Sequence, residues 1–466
     1  MPVTTRLARE ALIAMATPIV CLLITVSSTH EVASDFEASA IFDVTSYGAV
    51  GDGSTDDTVS IAKALADASK SARPSVVLFP KNKFFLTGPL NMSSHMTLRV
   101  DGTILAKSGN NTAYGIKGWP EVPPLPSYGN SRDGPYLQYQ AFVYAVNATD
   151  IAIIGEGTID GQGDWWWHNQ RNRSAVKSGR PNLIQFVGCH RIEVSGVLLR
   201  DSPFWCLHPV YCTDVYIHHI SIRARMYAPN SDGIDPDSSH NVLIEHNDVS
   251  CGDDHVAIKA GVCGKSSPND CLSKPFRDGT YSTRNVTVRY NTFRIGMGIS
   301  VGSESSGGIR DVYIHDNIVG LCDAGHCLDT CCGWGPALHL KTALTRGGTI
   351  ANISFVNNTI YNNTCFIDMQ TNYQSGDTPP VGYPPTRVEN ITFAGNRAMA
   401  GAIGASFVCS VHDVCERITV VDNYVKRSTD PWHCKFVHTY EVGRNNTGQA
   451  ALSKCMEESM PRRGLE

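Results

Sequence analysis

Val242-Leu-Ile-Glu-His-Asn247, Val286-Thr-Val-Arg-Tyr-Asn291 and Val312-Tyr-Ile-His-Asp-Asn317 repeat one six-residue theme. An apolar, mostly β-branched triplet comes first, and an asparagine stands five residues after its start. Such triplets begin at Ile151, Ile192, Val215, Val242, Val286, Val312, Ile353, Ile391 and Ile418. Six of the nine carry the asparagine, at Asn247, Asn291, Asn317, Asn358, Asn396 and Asn423. The starts are 41, 23, 27, 44, 26, 41, 38 and 27 residues apart, so the short intervals mark one coil and the long ones a coil plus an insertion. Strands this short cannot bury a face alone, but stacked about 4.8 Å apart they enclose a continuous apolar interior. Asparagine tolerates left-handed backbone and bonds nearby main chain, so at equivalent turns it predicts a ladder. The reading is an all-β chain, a single-stranded right-handed parallel β-helix. A sandwich of short antiparallel strands is the competing arrangement. Its hairpins would place turn residues at irregular offsets, against the fixed asparagine register.

The open end of a solenoid needs a cap. Residues 58–69 carry Ile61, Ala62, Leu65 and Ala68 at helical spacing, with Asp56 or Asp57 as N-cap, which predicts an N-terminal capping helix. The segment from Ser75 to Leu105 reads as the first strands. The β-helix is expected over 40–440, followed by a polar tail at 441–466. A chain of 466 residues with 42% hydrophobic content can fill such a core and is not disordered. Its 39 Lys and Arg against 44 Asp and Glu give −5, which argues against a nucleic-acid partner.

Arg6 and Arg9 precede an apolar run, Ala11 to Val26, and small and polar residues follow to Ser34. This is the layout of a signal peptide, placed at 1–30. The run is 16 residues long and contains Pro18, short for a membrane span. A secreted, extracellular or cell-wall location is therefore expected, with no membrane partner after processing. Ten Asn-x-Ser/Thr sequons, at Asn91, Asn110, Asn147, Asn172, Asn285, Asn352, Asn357, Asn362, Asn390 and Asn445, agree with export. Of 16 cysteines, Cys21 would leave with the signal and fifteen remain, so one thiol is expected to be unpaired or joined to another chain. Cys263 with Cys271 and Cys409 with Cys415 are expected to close short loops. The cluster Cys322, Cys327, Cys331 and Cys332, with His326, reads as disulfides in an oxidising compartment rather than as a zinc site.

The chemistry gathers in one neighbourhood. Asn230-Ser-Asp232-Gly-Ile-Asp235-Pro-Asp237 precedes the Val242 triplet, and Cys251-Gly-Asp253-Asp254-His255 follows it. Asp232 and Asp254 are 22 residues apart, about one coil, which sets them side by side on one face. A strict pleat would send Asp253 inward, where an unpaired carboxylate is very costly, so a strand end or bulge is expected to turn it outward. Three acids in such a space cannot all ionise freely, and one must hold its proton. A raised acid beside an ionised base is what glycoside hydrolysis requires. A calcium site or a solvated turn would use the same residues. Asp235 and Asp237 are expected to cap turns. His255 is open between orienting a carboxylate and a structural role.

At these residues the chain resembles glycoside hydrolase family 28, the polygalacturonase-like enzymes, in particular the plant-type, exo-like branch. The resemblance runs through residues 43–57, Glu156-Gly-Thr-Ile-Asp-Gly-Gln-Gly163, Asn230 to Ser238, Gly252-Asp-Asp254, Val301-Gly-Ser-Glu304, and Leu340-Lys-Thr-Ala343. It implies a pectin-lyase-like solenoid and inverting hydrolysis of α-1,4-linked galacturonic acid, without a cofactor or a metal. By the family pattern Asp253 is the general acid, and Asp232 and Asp254 activate water, with room for it at about 6.5–9.5 Å between carboxyl groups. Lys341 matches a basic residue for a galacturonate carboxylate. Arg310, Arg346 and Lys259 are further local cations, and a monomer acting on a pectic polysaccharide is expected.

Two positions depart from the pattern. Met297 stands in a Gly-x-Gly segment where the family often has His, and His339 stands where it has Arg, losing a bidentate fork. His339 opens the alternative of a rhamnogalacturonan hydrolase, and Met297 with His339 that of a non-catalytic glycan-binding β-helix. A calcium-dependent β-elimination lyase is a further alternative. Glu304 either lines the exit of the groove or caps a turn. At most one of Trp165, Trp166 and Trp167 is expected to stack on sugar. Exo or endo action turns on loops that block one end of the groove, with residues 261–279 and 321–335 as candidates; the Gly-Ser-Glu segment favours exo.

Overall fold

All nine triplets fall into one register column. Ile151 pairs with Ile192, Ile192 with Val215, Val215 with Val242, and Val242 with Val286. The column continues through Val312, Ile353, Ile391 and Ile418, and every one of these pairings is parallel. The structure, a computed structural model, describes residues 39–109, 116–129, 137–172, 174–263, 271–321, 335–374, 382–399, 403–410, 412, 414–426, 432–447 and 449–459. The expected signal peptide and the Cys322–Cys332 cluster lie outside them. Among the described residues no helix is long and apolar enough to cross a membrane.

Three parallel sheets make up the wall of the parallel β-helix. One has 13 strands, one has 12, and the third comes in runs of four and six strands joined through Ile234, which bridges Leu207 and Val256. Inward residues of successive coils stack into one apolar core, from Val77 and Phe79 through Ile244 and Val288 to Phe393 and Val420. Each triplet is bracketed by left-handed residues. Asp214, Asn241, Asn285 and Asp311 stand just before it, and His219, His246, Tyr290 and Asp316 four residues after its start, all with φ between 52° and 60°. These bends turn the chain from one sheet to the next.

The asparagine ladder is continuous. Asn247 Nδ2 donates to Asn291 Oδ1 at 2.9 Å, and the same bond links Asn291 to Asn317 and Asn317 to Asn358, each at 3.0 Å. It then runs through Asn396 and Asn423 to Asn446, one rung beyond the sequence expectation.

The capping helix is Thr58–Ala68, with Ile61, Ala64, Leu65 and Ala68 buried, whereas Ala62 faces outward. Asp56 Oδ1 accepts from the Thr58 amide at 3.1 Å and acts as its cap, while Asp57 binds the amides of Val50 and Gly51. The other end corrects the expectation of a polar tail. The strand Tyr440–Val442 extends the main sheet, and the helix Gln449–Ser459 buries Leu452 and Met456, one helical turn apart, and is tied by Cys434–Cys455. The last coil exposes the core as the first one does, and a second helix covers it.

Cys263–Cys271 and Cys409–Cys415 are bonded as expected. The expectation of one spare thiol is corrected: Cys189, Cys206, Cys212, Cys251 and Cys365 are all reduced. Four of the five are buried and fill the interior as small apolar side chains.

Candidate active site

The acids sit on the third sheet. Leu207, Ile234, Val256 and Ile299 are register partners on successive coils, so the residues two positions upstream, Trp205, Asp232, Asp254 and Met297, form the next column but one. Asp232 and Asp254 are thus neighbours across one coil, as their spacing predicts. Asp253 escapes the core because the chain bends before the strand Val256–Ile258. At Gly252 a Cβ would lie 2.2 Å from the Ala228 carbonyl oxygen, so only glycine permits this close approach. Asp232 and Asp254 are buried and Asp253 is half-buried. One oxygen from each of the three lies within 4.8 Å of the others, so the three carboxyl groups form one cluster.

Two buried lysines balance this charge. Lys341 Nζ donates to Asp254 Oδ2 at 2.7 Å, and Ser300 Oγ to Asp254 Oδ1 at 2.7 Å, so both oxygens of Asp254 are engaged. Lys259 Nζ stands 3.2 Å from Asp232, 3.3 Å from Asp235 and 3.4 Å from Glu304, and 4.3 Å from the Trp205 ring centre. Five carboxylates against two ammonium groups cannot all ionise in such a place. Burial pushes Asp253 up to about 8, helped by the charges of Asp232 and Asp254 and opposed by Lys341 and Lys259. Burial alone would also raise Asp254, but Lys341, His339 and Lys259 outweigh it and hold Asp254 below the usual carboxylate range. Burial keeps Asp235 protonated far above that range, with Asp232 adding to the effect. The group therefore holds one carboxyl acid and one carboxylate on adjacent residues, as acid–base catalysis needs.

Several expectations are redirected. Asp235 and Asp237 do not cap turns. Asp235 is fully buried beside Lys259, and Asp237 accepts from Tyr128 Oη at 2.5 Å and from the Gly261 amide at 3.1 Å. Both occupy outward positions of the third sheet that neighbouring segments then cover. His255 is structural. Its ring nitrogens meet the Ile295 carbonyl and the Gly298 amide, the ring stacks on Phe293, and burial lowers it to about 4, so it is neutral near pH 7. Glu304 neither lines a surface nor caps a turn; it pairs with Lys259. His339 lies 3.3 Å from Asp368, and burial lowers its pKa. Trp166 and Trp167 are buried, and Trp165 packs edge-on against Trp166. Arg346 donates to the Ser303 carbonyl and Arg310 stands beside Asp311.

Sequence reasoning missed the central place of Lys259. One lysine inside the apolar run Val256-Ala-Ile-Lys-Ala260 is the signal that could have found it. It also missed Arg180, buried beneath Asn230, which nothing in its local sequence marks.

The model of glycosyl hydrolases family 28 matches residues 70–447. The chain belongs to that family. It is a glycoside hydrolase, and the family is an inverting one. It is 30% identical to a probable polygalacturonase of Vitis vinifera over 87% of this chain and 79% of that protein. It is 27% identical to a polygalacturonase of Persea americana over 83% of this chain and 75% of that one. An exopolygalacturonase from Thermotoga maritima superposes with a TM-score of 0.67 at 25% identity, covering 86% of this chain and 92% of that structure.

Proposed function

We propose that this family 28 enzyme is an exo-acting polygalacturonase, which shortens α-1,4-galacturonan from a chain end with inversion. In this reading Asp253 protonates the leaving oxygen. Asp254, kept ionised by Lys341, and Asp232, paired with Lys259, hold and deprotonate the attacking water. The disulfides fit an enzyme working outside the cell, in keeping with the leader-like N-terminus.

The observation that supports the exo reading is an apolar cluster beside the acids, which this reading takes as a wall. Tyr128, Phe204, Trp205 and Val262 form a separate apolar cluster, with Leu125 packed on it. Its Trp205 lies one coil before Asp232 in the same column of the third sheet. The Ser127 carbonyl accepts from the Val262 amide at 2.8 Å, its amide donates to Tyr211 Oη at 2.8 Å, and Tyr128 is bonded to Asp237. The residues on the far side of the acids, Asp368, Gln370 and Tyr373, are only half-buried. In this reading a polymer enters from that side and ends at the cluster.

The test is product analysis on polygalacturonate. Small product of one size should appear from the first minutes, while the long chains persist. Tyr128→Ala should add a spread of intermediate oligomers. An oligomer ladder from the unaltered enzyme would sink the exo reading. His339 motivates a second substrate: a buried imidazole offers no fork for a uronate carboxylate, so rhamnogalacturonan belongs in the same assay.

A further inference from the structure

We propose that Arg180 is a positioning residue of the reaction, which fixes the Asn230 amide so that its nitrogen, not its oxygen, faces the Asp253 carboxyl group. The inference rests on Asp253 being the acid.

Arg180 is fully buried and lies outside the motifs that mark the site. Its Nη1 donates to the Pro229 carbonyl at 2.8 Å and to the Pro203 carbonyl at 3.2 Å, and its guanidinium lies 4.8 Å from the Phe204 ring centre. Its Nη2 donates to Asn230 Oδ1 at 3.1 Å. Asn230 Nδ2 in turn donates to Asp253 Oδ2 at 3.4 Å, and Asn230 itself holds a left-handed backbone at φ 53°.

A guanidinium has donors and no acceptor. It can take only the amide oxygen, so the amide nitrogen must face the other way. A free amide could turn over, because its two ends are nearly alike in shape. Turned over, its oxygen would face Asp253 and could be satisfied only by the proton of the acid. That proton would then be held when the leaving oxygen needs it. With Arg180 in place, the carboxylate left after proton transfer meets an N–H donor instead. The other groups acting on Asp253 are Asp232, Asp254, Lys341 and Lys259, with Tyr373 and Cys251 close by. Burial, Asp232 and Asp254 raise the acid, and the lysines with the Asn230 donor oppose them.

The experiment compares pH profiles of kcat/KM for the wild type, Arg180→Lys, Asn230→Ala and the double variant, each checked for folding by thermal melting. Arg180→Lys should lower kcat about tenfold with little change in KM, and shift the alkaline limb upward by about half a pH unit. The double variant should match Asn230→Ala alone, because in this proposal Arg180 acts on Asp253 through that amide, while its bonds to the Pro203 and Pro229 carbonyls are read out by the thermal melt. Multiplied losses, or an alkaline limb that stays in place in both single variants, would overturn the proposal. If Arg180→Lys does not fold, Asn230→Ala decides: its limb must move. Asp253→Asn separates this inference from the reading beneath it. Full activity there removes Asp253 as the acid, whereas loss of activity together with unmoved limbs removes only the role of Arg180.

Discussion

Two buried polar rows cross the coils of this protein. In the row from Asn247 to Asn446 each amide donates to the next and accepts from the one before, so one residue type can repeat over six steps. In the row that holds Asp232 and Asp254, stacking brings like charges together, and the row does not continue: Trp205 precedes it and Met297 follows. A group with both a donor and an acceptor satisfies its own copies. A carboxylate has only acceptors, so the fold must place Lys259 and Lys341 among them and leave some acids protonated. The first row is a structural joint, and the second is the crowded charge cluster on which the proposed chemistry rests.

The largest expected effect separates the rows by function. Asp253→Asn should lower kcat on polygalacturonate by about 10²–10⁴-fold, since an amide cannot give up the proton. Reducing-sugar release measures it, and a loss under tenfold would exclude Asp253 as the acid. Next in size, Lys259→Met should cost about 3–5 kcal/mol of stability in denaturant unfolding, because it strands buried carboxylates without their cation. Asn317→Ala, in the amide row, should cost about 1–3 kcal/mol by leaving its neighbours partly unpaired. If the two variants lose the same amount, the contrast between rows has no energetic content. The finest test is pH. As the proposed acid Asp253 must be protonated, so kcat/KM should fall as pH rises through about 8. In the proposed mechanism Asp232 and Asp254 must both be ionised; Asp254 lies below the usual carboxylate range but burial raises Asp232, so the acid limb should follow Asp232 and lie above that range. An alkaline limb near pH 5 would mean that the acid is less buried than it is here.

The solenoid was legible because its period is written in β-branched triplets and asparagines that stacking makes obligatory. The acid triad was legible because 22 residues make one coil. The left-handed brackets at Asp214, Asn241 and Asn285 were legible only after the register was known, because Asp and Asn are common in any turn. The C-terminal helix was hidden because Leu452 and Met456 are sparse among charged residues and gain their meaning from the open coil beneath them. Lys259, Asp235 and Arg180 were hidden because burial by neighbouring segments, and not local pattern, gives them their roles.

The aromatic wall at Tyr128 and Trp205 has a kinetic meaning. If the proposed exo action holds, the enzyme counts termini, not bonds. At equal mass of polymer its rate should rise in proportion to the number of molecules, so any partner that cuts in the middle supplies it with work.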